Sequence, residues 1–165
     1  MKQNKMRSVG TATWIAVLAA GMSAGALAQD ATYRKDIKPL VETRCAGCHG
    51  AGAPTLAEFQ LDQKKYAAAM KGPRIDTYAD LLALVGWPDT GAIMRRLDDG
   101  KSEHADGKPG NMHQYLGATE EERQKNLGLF KAWVGKDAWV LNRFKARGKV
   151  SGITKEQLEK IQVKY

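Results

Sequence analysis

Cys45-Ala46-Gly47-Cys48-His49 is the stretch of this sequence that decides the fold. The pattern Cys-x-x-Cys-His is the covalent attachment signature of c-type haem. Two thiols at this spacing lie on a single turn of chain, where each can add to one vinyl group of the porphyrin. The histidine that follows then supplies an imidazole nitrogen as the proximal iron ligand. We therefore predict one covalent haem c, held by Cys45, Cys48 and His49.

Two other kinds of site use a Cys-x-x-Cys pair, and both fit this chain less well. A thioredoxin-like redox motif is typical of a βαβ pattern, which the surrounding sequence does not show. A structural zinc site needs two further ligands, usually a second Cys or His pair. The chain has only 2 cysteines, so haem attachment also leaves none for a disulfide.

The N-terminus has the pattern of an export signal. Basic residues precede an apolar stretch over residues 11–27, and Ala-Leu-Ala at residues 26–28 is a typical cleavage site. The alternative is a membrane anchor, but about 17 residues interrupted by glycine are marginal for spanning ~30 Å of hydrocarbon. We predict a cleaved signal peptide over residues 1–28 and no stable membrane span after cleavage. Because haem is attached to this motif outside the bacterial cytoplasm, we expect a periplasmic protein.

The charge is uneven along the chain. The net charge is +8, and residues 131–165 hold 9 Lys or Arg against 3 Asp or Glu, whereas residues 29–130 hold 14 against 15. A nucleic-acid-binding function has little support without aromatic residues interleaved among the cations. A basic face that attracts redox partner proteins with an acidic docking face fits better. The alternative is a basic segment that is simply solvated.

Hydrophobic spacing predicts an all-α domain, since no segment alternates like a strand. Pro39 either opens a shorter first helix or kinks it. Thr119 and Glu122 predict a capping box at the start of the best-marked helix, and Gly135 predicts its end. A second box, Thr154 with Gln157, predicts a short final helix. The other predicted helices cover residues 33–44, 55–70 (one helix or two), 76–85 and 92–97.

Over about residues 31–135 the chain resembles the class I cytochromes c. The likeness runs from the helix entering Cys45–His49 to Met112 and the amphipathic helix that follows. It implies a cytochrome c-like helical fold wrapped around one covalent haem, with residues 29–135 as the cytochrome domain and 136–165 as a basic C-terminal extension. In that family a methionine in the loop before the last core helix is the sixth iron ligand, so the resemblance implies Met112.

Other residues compete with Met112 for the second axial position. Met94 and Met70 lie in helical stretches, where packing is the expected role of a methionine. His113 lies beside Met112, and His104 lies in the same long loop. Either histidine would give a bis-His iron of lower potential. An open or water-bound sixth site is the remaining alternative.

The resemblance also implies a proline whose carbonyl accepts a hydrogen bond from the proximal imidazole. Pro54 is the candidate in this sequence. Arg74, Tyr78 and Trp87 are candidate partners of the haem propionates, although packing or solvent exposure is the first expectation for each.

These patterns predict a periplasmic c-type cytochrome that carries single electrons between redox partners and is not an enzyme. One alternative is a haem subunit tightly bound to a larger periplasmic oxidoreductase. In that case the apolar residues Trp139, Val140, Leu141 and Phe144 contact a partner, unless they fold back on their own core. Another alternative is a haem enzyme or gas sensor with an open sixth site.

Overall fold

The computed structural model describes residues 31–86, 91–103, 105–139, 141 and 155–165. Every element within these stretches is helical, which confirms the all-α prediction. The predicted signal peptide, residues 1–28, lies outside the described residues. None of the described helices has the length and apolar character needed to cross a membrane. The helices are α1 (Lys38–Arg44), α2 (Ala46–His49), α3 (Leu56–Leu61), α4 (Gln63–Ala68), α5 (Tyr78–Ala83), α6 (Ala92–Leu97), α7 (Glu120–Val134) and α8 (Lys155–Glu159).

A π-helical turn, Tyr33–Ile37, leads directly into α1. Thr32 caps this turn, its hydroxyl accepting a hydrogen bond from the Lys35 amide at 3.3 Å. Pro39 lies in the first turn of α1, where its missing N–H leaves no helical hydrogen bond unmade. Proline therefore opens the regular part of the helix, as one of the two predicted alternatives had it.

The segment predicted as one helix or two forms two, α3 and α4. Thr55 and Glu58 make a complete capping box at the start of α3, with the Glu58 carboxylate accepting from the Thr55 amide at 2.8 Å. Asp62 ends α3 and caps α4, accepting from the Lys65 amide at 3.0 Å. A residue whose side chain satisfies the first amides of a new helix favours a break there. The sequence analysis did not identify this box.

The N-terminus of α7 differs in one detail from its prediction. Thr119 caps the helix by accepting from the Glu122 amide at 3.2 Å. The Glu122 carboxylate, however, accepts from the Ala118 amide at 2.7 Å rather than from that of Thr119. Gly135 ends the helix with φ of +107°, a conformation that favours glycine.

The hydrophobic core lies between the N-terminal helical segment, α5, α6 and α7. The apolar face predicted for α7 is buried in it, and α6 contributes a further set of buried side chains along its length. The most deeply buried apolar residues are Ile37, Val41, Leu81, Val85, Met94, Leu116, Leu127, Phe130, Trp133 and Val134.

Residues 161–165 run back across the core and form what we call the C-terminal strap. Val163 N–H donates to the Trp133 carbonyl at 2.8 Å, and the Lys164 carbonyl accepts from the Tyr33 amide at 2.8 Å and from Trp133 Nε1 at 2.9 Å. The strap thus joins the end of α7 to the first helical turn. Thr154, the predicted cap of α8, lies outside the described residues.

Trp139 and Leu141 fold onto the core, with 4% and 7% of their surfaces exposed. These two residues belong to the apolar set that the sequence analysis assigned either to a partner or to the protein's own core. Their burial supports the second alternative for this pair. Val140 and Phe144 lie outside the described residues.

Candidate haem site

The Cys45–His49 segment forms one tight helical turn. Cys45 ends α1 and caps α2, and its carbonyl accepts from the amides of Cys48 at 3.2 Å and His49 at 2.9 Å. Cys45 is half-buried, Cys48 is exposed, and neither is in a disulfide. The turn therefore presents two free thiols and an imidazole from five consecutive residues.

The ring of His49 is held by one hydrogen bond. Its Nδ1 lies 2.7 Å from the carbonyl oxygen of Pro73. A carbonyl only accepts, so Nδ1 carries the proton and Nε2 has its lone pair available. Within the described part of the chain, Nε2 has no hydrogen-bond partner. This is the tautomer in which a neutral imidazole binds a metal through Nε2.

The prediction of Pro54 as the acceptor for His49 is wrong. The Pro54 carbonyl instead accepts from the Arg74 amide at 2.7 Å. Pro73, 24 residues beyond the histidine, makes the contact. The Gly72-Pro73 pair is visible in the sequence, but its pairing with His49 depends on how the chain returns after α3 and α4.

Residues 71–75, which we call the returning segment, pair with the haem-motif turn along its length. Gly72 N–H donates to the Cys48 carbonyl at 3.0 Å, and Ile75 N–H donates to the His49 carbonyl at 2.9 Å. Lys71 Nζ donates to the Gly47 carbonyl at 3.2 Å. Together with the bond from His49 to Pro73, these contacts fix the turn from one side.

The contact at Gly72 leaves no room for a side chain. A Cβ placed there would lie 2.6 Å from Nδ1 and 2.8 Å from Nε2 of His49, and closer still to Cε1. The backbone of Gly72 therefore packs directly against the imidazole. This is a close approach that glycine alone permits.

The Cys45 thiol is a poor nucleophile in the polypeptide itself, because its pKa is raised. Burial, and to a smaller extent the neighbouring Cys48, raise its pKa to about 11. A thiol with this pKa is protonated at neutral pH, and the thiolate is the nucleophilic form.

Met112 lies in a loop held by the end of α6. Its amide donates to the Arg96 carbonyl at 2.9 Å, and the Gly110 amide donates to the Asp98 carbonyl at 2.7 Å. The Met112 side chain is half-buried and packs against the core. A Cβ at Gly110 would clash with the carbonyls of residues 95 and 96, so this loop also depends on a close backbone approach.

The competing ligands differ in their surroundings. His113 is buried, its Nδ1 donating to the Leu97 carbonyl at 3.1 Å and its Nε2 lying 3.8 Å from a Glu120 carboxylate oxygen. Met94 is fully buried among apolar residues, and Met70 is 74% exposed. His104 lies outside the described residues.

The suggested propionate partners have protein partners of their own. Arg74 Nε pairs with Asp76 at 2.7 Å and with Asp80 at 3.3 Å. The Tyr78 hydroxyl donates to the Val163 carbonyl at 2.7 Å. Trp87 lies outside the described residues. Packing, one part of the first expectation for these side chains, describes Tyr78, whereas Arg74 forms ion pairs with the protein's own carboxylates.

Comparison with known proteins agrees with this geometry. Residues 32–165 match the family described as PccH cytochrome c. The chain belongs to the PccH cytochrome c family. It is therefore an electron-carrying c-type cytochrome with one covalently attached haem c, as its single Cys-x-x-Cys-His motif requires.

A solved structure is similar to this PccH-family cytochrome over most of its length. The monoheme cytochrome PccH from Geobacter sulfurreducens is 54% identical, and the match covers 82% of this chain and 99% of that one, with a TM-score of 0.70. None of the curated proteins compared matches the chain.

The residues at the motif of this PccH-family cytochrome fit the haem that the family carries. Two reduced thiols on one turn provide the thioether positions, and the His49 tautomer leaves Nε2 able to bind iron. When bound, the haem supplies a reversible one-electron change at iron. The chain's own contribution is to orient His49 through Pro73 and the returning segment, which sets the basicity of the imidazole.

Proposed function

We propose that this cytochrome is a periplasmic carrier of single electrons, with His49 and Met112 as the axial ligands of its iron, and that it is not an enzyme. The observation that carries the proposal is the His49 ring. It follows two free thiols on one turn, donates from Nδ1 to Pro73, and has no partner for Nε2 among the residues that the structure describes. A ring held in this way changes little between ferric and ferrous iron, which suits electron transfer.

The assignment of Met112 is supported by what surrounds the competing side chains. His113 donates from Nδ1 to a backbone carbonyl and directs Nε2 toward Glu120. Binding iron through Nδ1 would leave the Leu97 carbonyl without its donor, which is costly, and binding iron through Nε2 would break the contact with the Glu120 carboxylate. Among the described residues Met112 makes hydrogen bonds only through its main chain, and its thioether packs against the core without a polar partner. A thioether ligand favours ferrous iron and raises the potential.

Export as a periplasmic protein is part of the same proposal. It is supported by the basic and apolar pattern of residues 1–28 and by the haem motif, which is completed outside the bacterial cytoplasm. We further propose that residues 131–165, with their excess of 6 positive charges, attract redox partners with an acidic docking face. Such steering raises the rate of encounter and weakens with salt.

A permanent subunit of a larger oxidoreductase is the second candidate, and one observation speaks against it. Trp139 and Leu141 are buried within the chain's own core. They are therefore not available to anchor a partner through an apolar interface. A carrier that meets its partners transiently is the better-supported function.

The test is the optical spectrum of the purified cytochrome, ferric and ferrous, with and without carbon monoxide. We expect a low-spin spectrum with a methionine–iron charge-transfer band, no change with carbon monoxide, and loss of the band in Met112→Ala. His113→Asn, whose side-chain amide can donate to the Leu97 carbonyl in place of Nδ1, is the matched control and should keep the band. A high-spin ferric spectrum with rapid carbon monoxide binding would overturn the carrier function and indicate an open sixth site.

A further inference from the structure

Asp98 is a buried charged side chain that the proposed electron-carrier function does not use. Only 2% of its surface is exposed. Its Oδ1 accepts from Trp139 Nε1 at 2.9 Å, and its Oδ2 accepts from the Gly100 amide at 2.8 Å. A carboxylate is retained in an interior only where donors satisfy it. These two donors therefore explain how Asp98 is tolerated, and they join α6 to the segment after α7.

The main chain around Asp98 carries the Met112 loop. Three consecutive carbonyls at the end of α6, at residues 96–98, accept from Met112 N–H, His113 Nδ1 and Gly110 N–H in that order. We call residues 110–113 the ligand loop. The loop is therefore attached to the last turn of α6, and the last turn of α6 is attached to Trp139 through the side chain of Asp98.

We propose that Asp98 and Trp139 are positioning residues that hold the ligand loop, and through it Met112, in place. The inference rests on the proposed function, in which Met112 binds iron. Without the indole donor, the Asp98 carboxylate loses a buried hydrogen bond, and turning toward water then lowers its free energy. Because Asp98 also supplies the carbonyl that holds Gly110, such a movement releases the loop.

The consequence for the iron follows from the nature of the ligand. A neutral thioether is a weak ligand, so it stays on the iron only if the loop keeps it there. A loosened loop exposes the sixth position to external ligands, while Cys45, Cys48 and His49 are unaffected.

The experiment compares Trp139→Phe and Asp98→Asn with Trp133→Phe in the haem-loaded protein. Trp133 is an equally buried tryptophan that donates from Nε1 to the Lys164 carbonyl at 2.9 Å, so its variant loses the same kind of bond at another place. Hydrogen exchange is measured at the amides of Gly110 and Met112, together with carbon monoxide binding and the methionine–iron band.

We expect the two amides to exchange at least about tenfold faster in Trp139→Phe and Asp98→Asn, equivalent to about 1.4 kcal/mol. Carbon monoxide binding should become measurable and the band should weaken. In Trp133→Phe the same amides and the band should be unchanged, even where the melting temperature falls as much. Unchanged exchange at both amides in Trp139→Phe and Asp98→Asn would overturn the proposal.

The exchange measurement separates this inference from the proposed function. If the wild-type protein lacks the methionine–iron band while both amides exchange faster in the two variants, Met112 is not the ligand but Asp98 and Trp139 do hold the loop. If the band is present and the two variants leave exchange unaltered, the ligand assignment stands and the positioning role is wrong.

Discussion

Replacing Gly72 with alanine tests the packing of the returning segment against His49. The added Cβ would lie 2.6 Å from Nδ1, whereas ordinary contacts begin at 3.4 Å. Relief of the Nδ1 contact alone requires the ring or the returning segment to move by about 0.8 Å, the difference between these two distances, and the closer contact with Cε1 requires more. A movement of the ring away from Gly72 disrupts its 2.7 Å hydrogen bond to Pro73.

The energetic cost follows from these two effects. Overpacking costs roughly 1–3 kcal/mol, and the lost hydrogen bond costs about 1 kcal/mol more. We expect Gly72→Ala to lower the free energy of unfolding by about 2–4 kcal/mol and the melting temperature by on the order of 10 °C. The reduction potential should rise, because an imidazole without its hydrogen bond is less basic and stabilises ferric iron less.

Gly47→Ala is the matched control, since it lies in the same turn and nothing approaches its Cβ position within 4 Å. It is helical and exposed, so alanine there should stabilise the protein by up to about 1 kcal/mol. The assay is denaturant unfolding of the ferric protein followed at the haem band, with voltammetry for the potential. Equal stability and equal potential in the two variants would refute the close approach at Gly72.

Three further outcomes are expected. Deleting residues 162–165 removes the hydrogen bonds to α7 and to the first helical turn. The free energy of unfolding, measured by thermal denaturation, should therefore fall by about 3 kcal/mol or more. The pKa of Glu122 is lowered, chiefly by the hydrogen bond from the amide of Ala118. Its ionised carboxylate therefore contributes to the free energy of unfolding above the unfolded pKa of about 4.3, and this contribution is lost as pH falls through the lower folded pKa. Glu122→Gln should therefore flatten the acid limb of a stability–pH curve, and an unchanged limb would contradict the assigned shift. Lys71→Met gives up only an exposed contact with Gly47, so its unfolding free energy should fall by less than about 1 kcal/mol, and a larger fall would mean that the lysine does more than hold the turn.

The turn that brings the two thiols and the imidazole together could be predicted from the sequence because its residues lie within one five-residue stretch. Cys45, Cys48 and His49 need only one helical turn to lie together, and local spacing predicts such a turn. The same holds for the helix boundaries at Thr119 and Gly135, where a capping side chain and a flexible residue act on adjacent backbone.

The long-range contacts that hold the site in place could not be predicted in this way. Pro73 reaches His49 only after two short helices, and Asp98 meets Trp139 across 41 positions. Neither pairing leaves a periodic signal, because each depends on where distant elements pack. Pro54 was the nearest proline to the motif, and nearness in sequence was the wrong guide.

The strap has a consequence for how the protein is made. The first helical turn, which leads through α1 to Cys45, receives backbone partners from residues 164 and 165. Joining segments so far apart closes a very large loop, whose entropic cost delays the contact until late in folding. In a chain exported from its amino terminus, as we propose for this one, the segment that bears both thiols therefore lacks these backbone contacts until residue 165 has crossed the membrane. During that interval the cell's haem-attachment machinery can reach Cys45 and Cys48 before the core has finished packing.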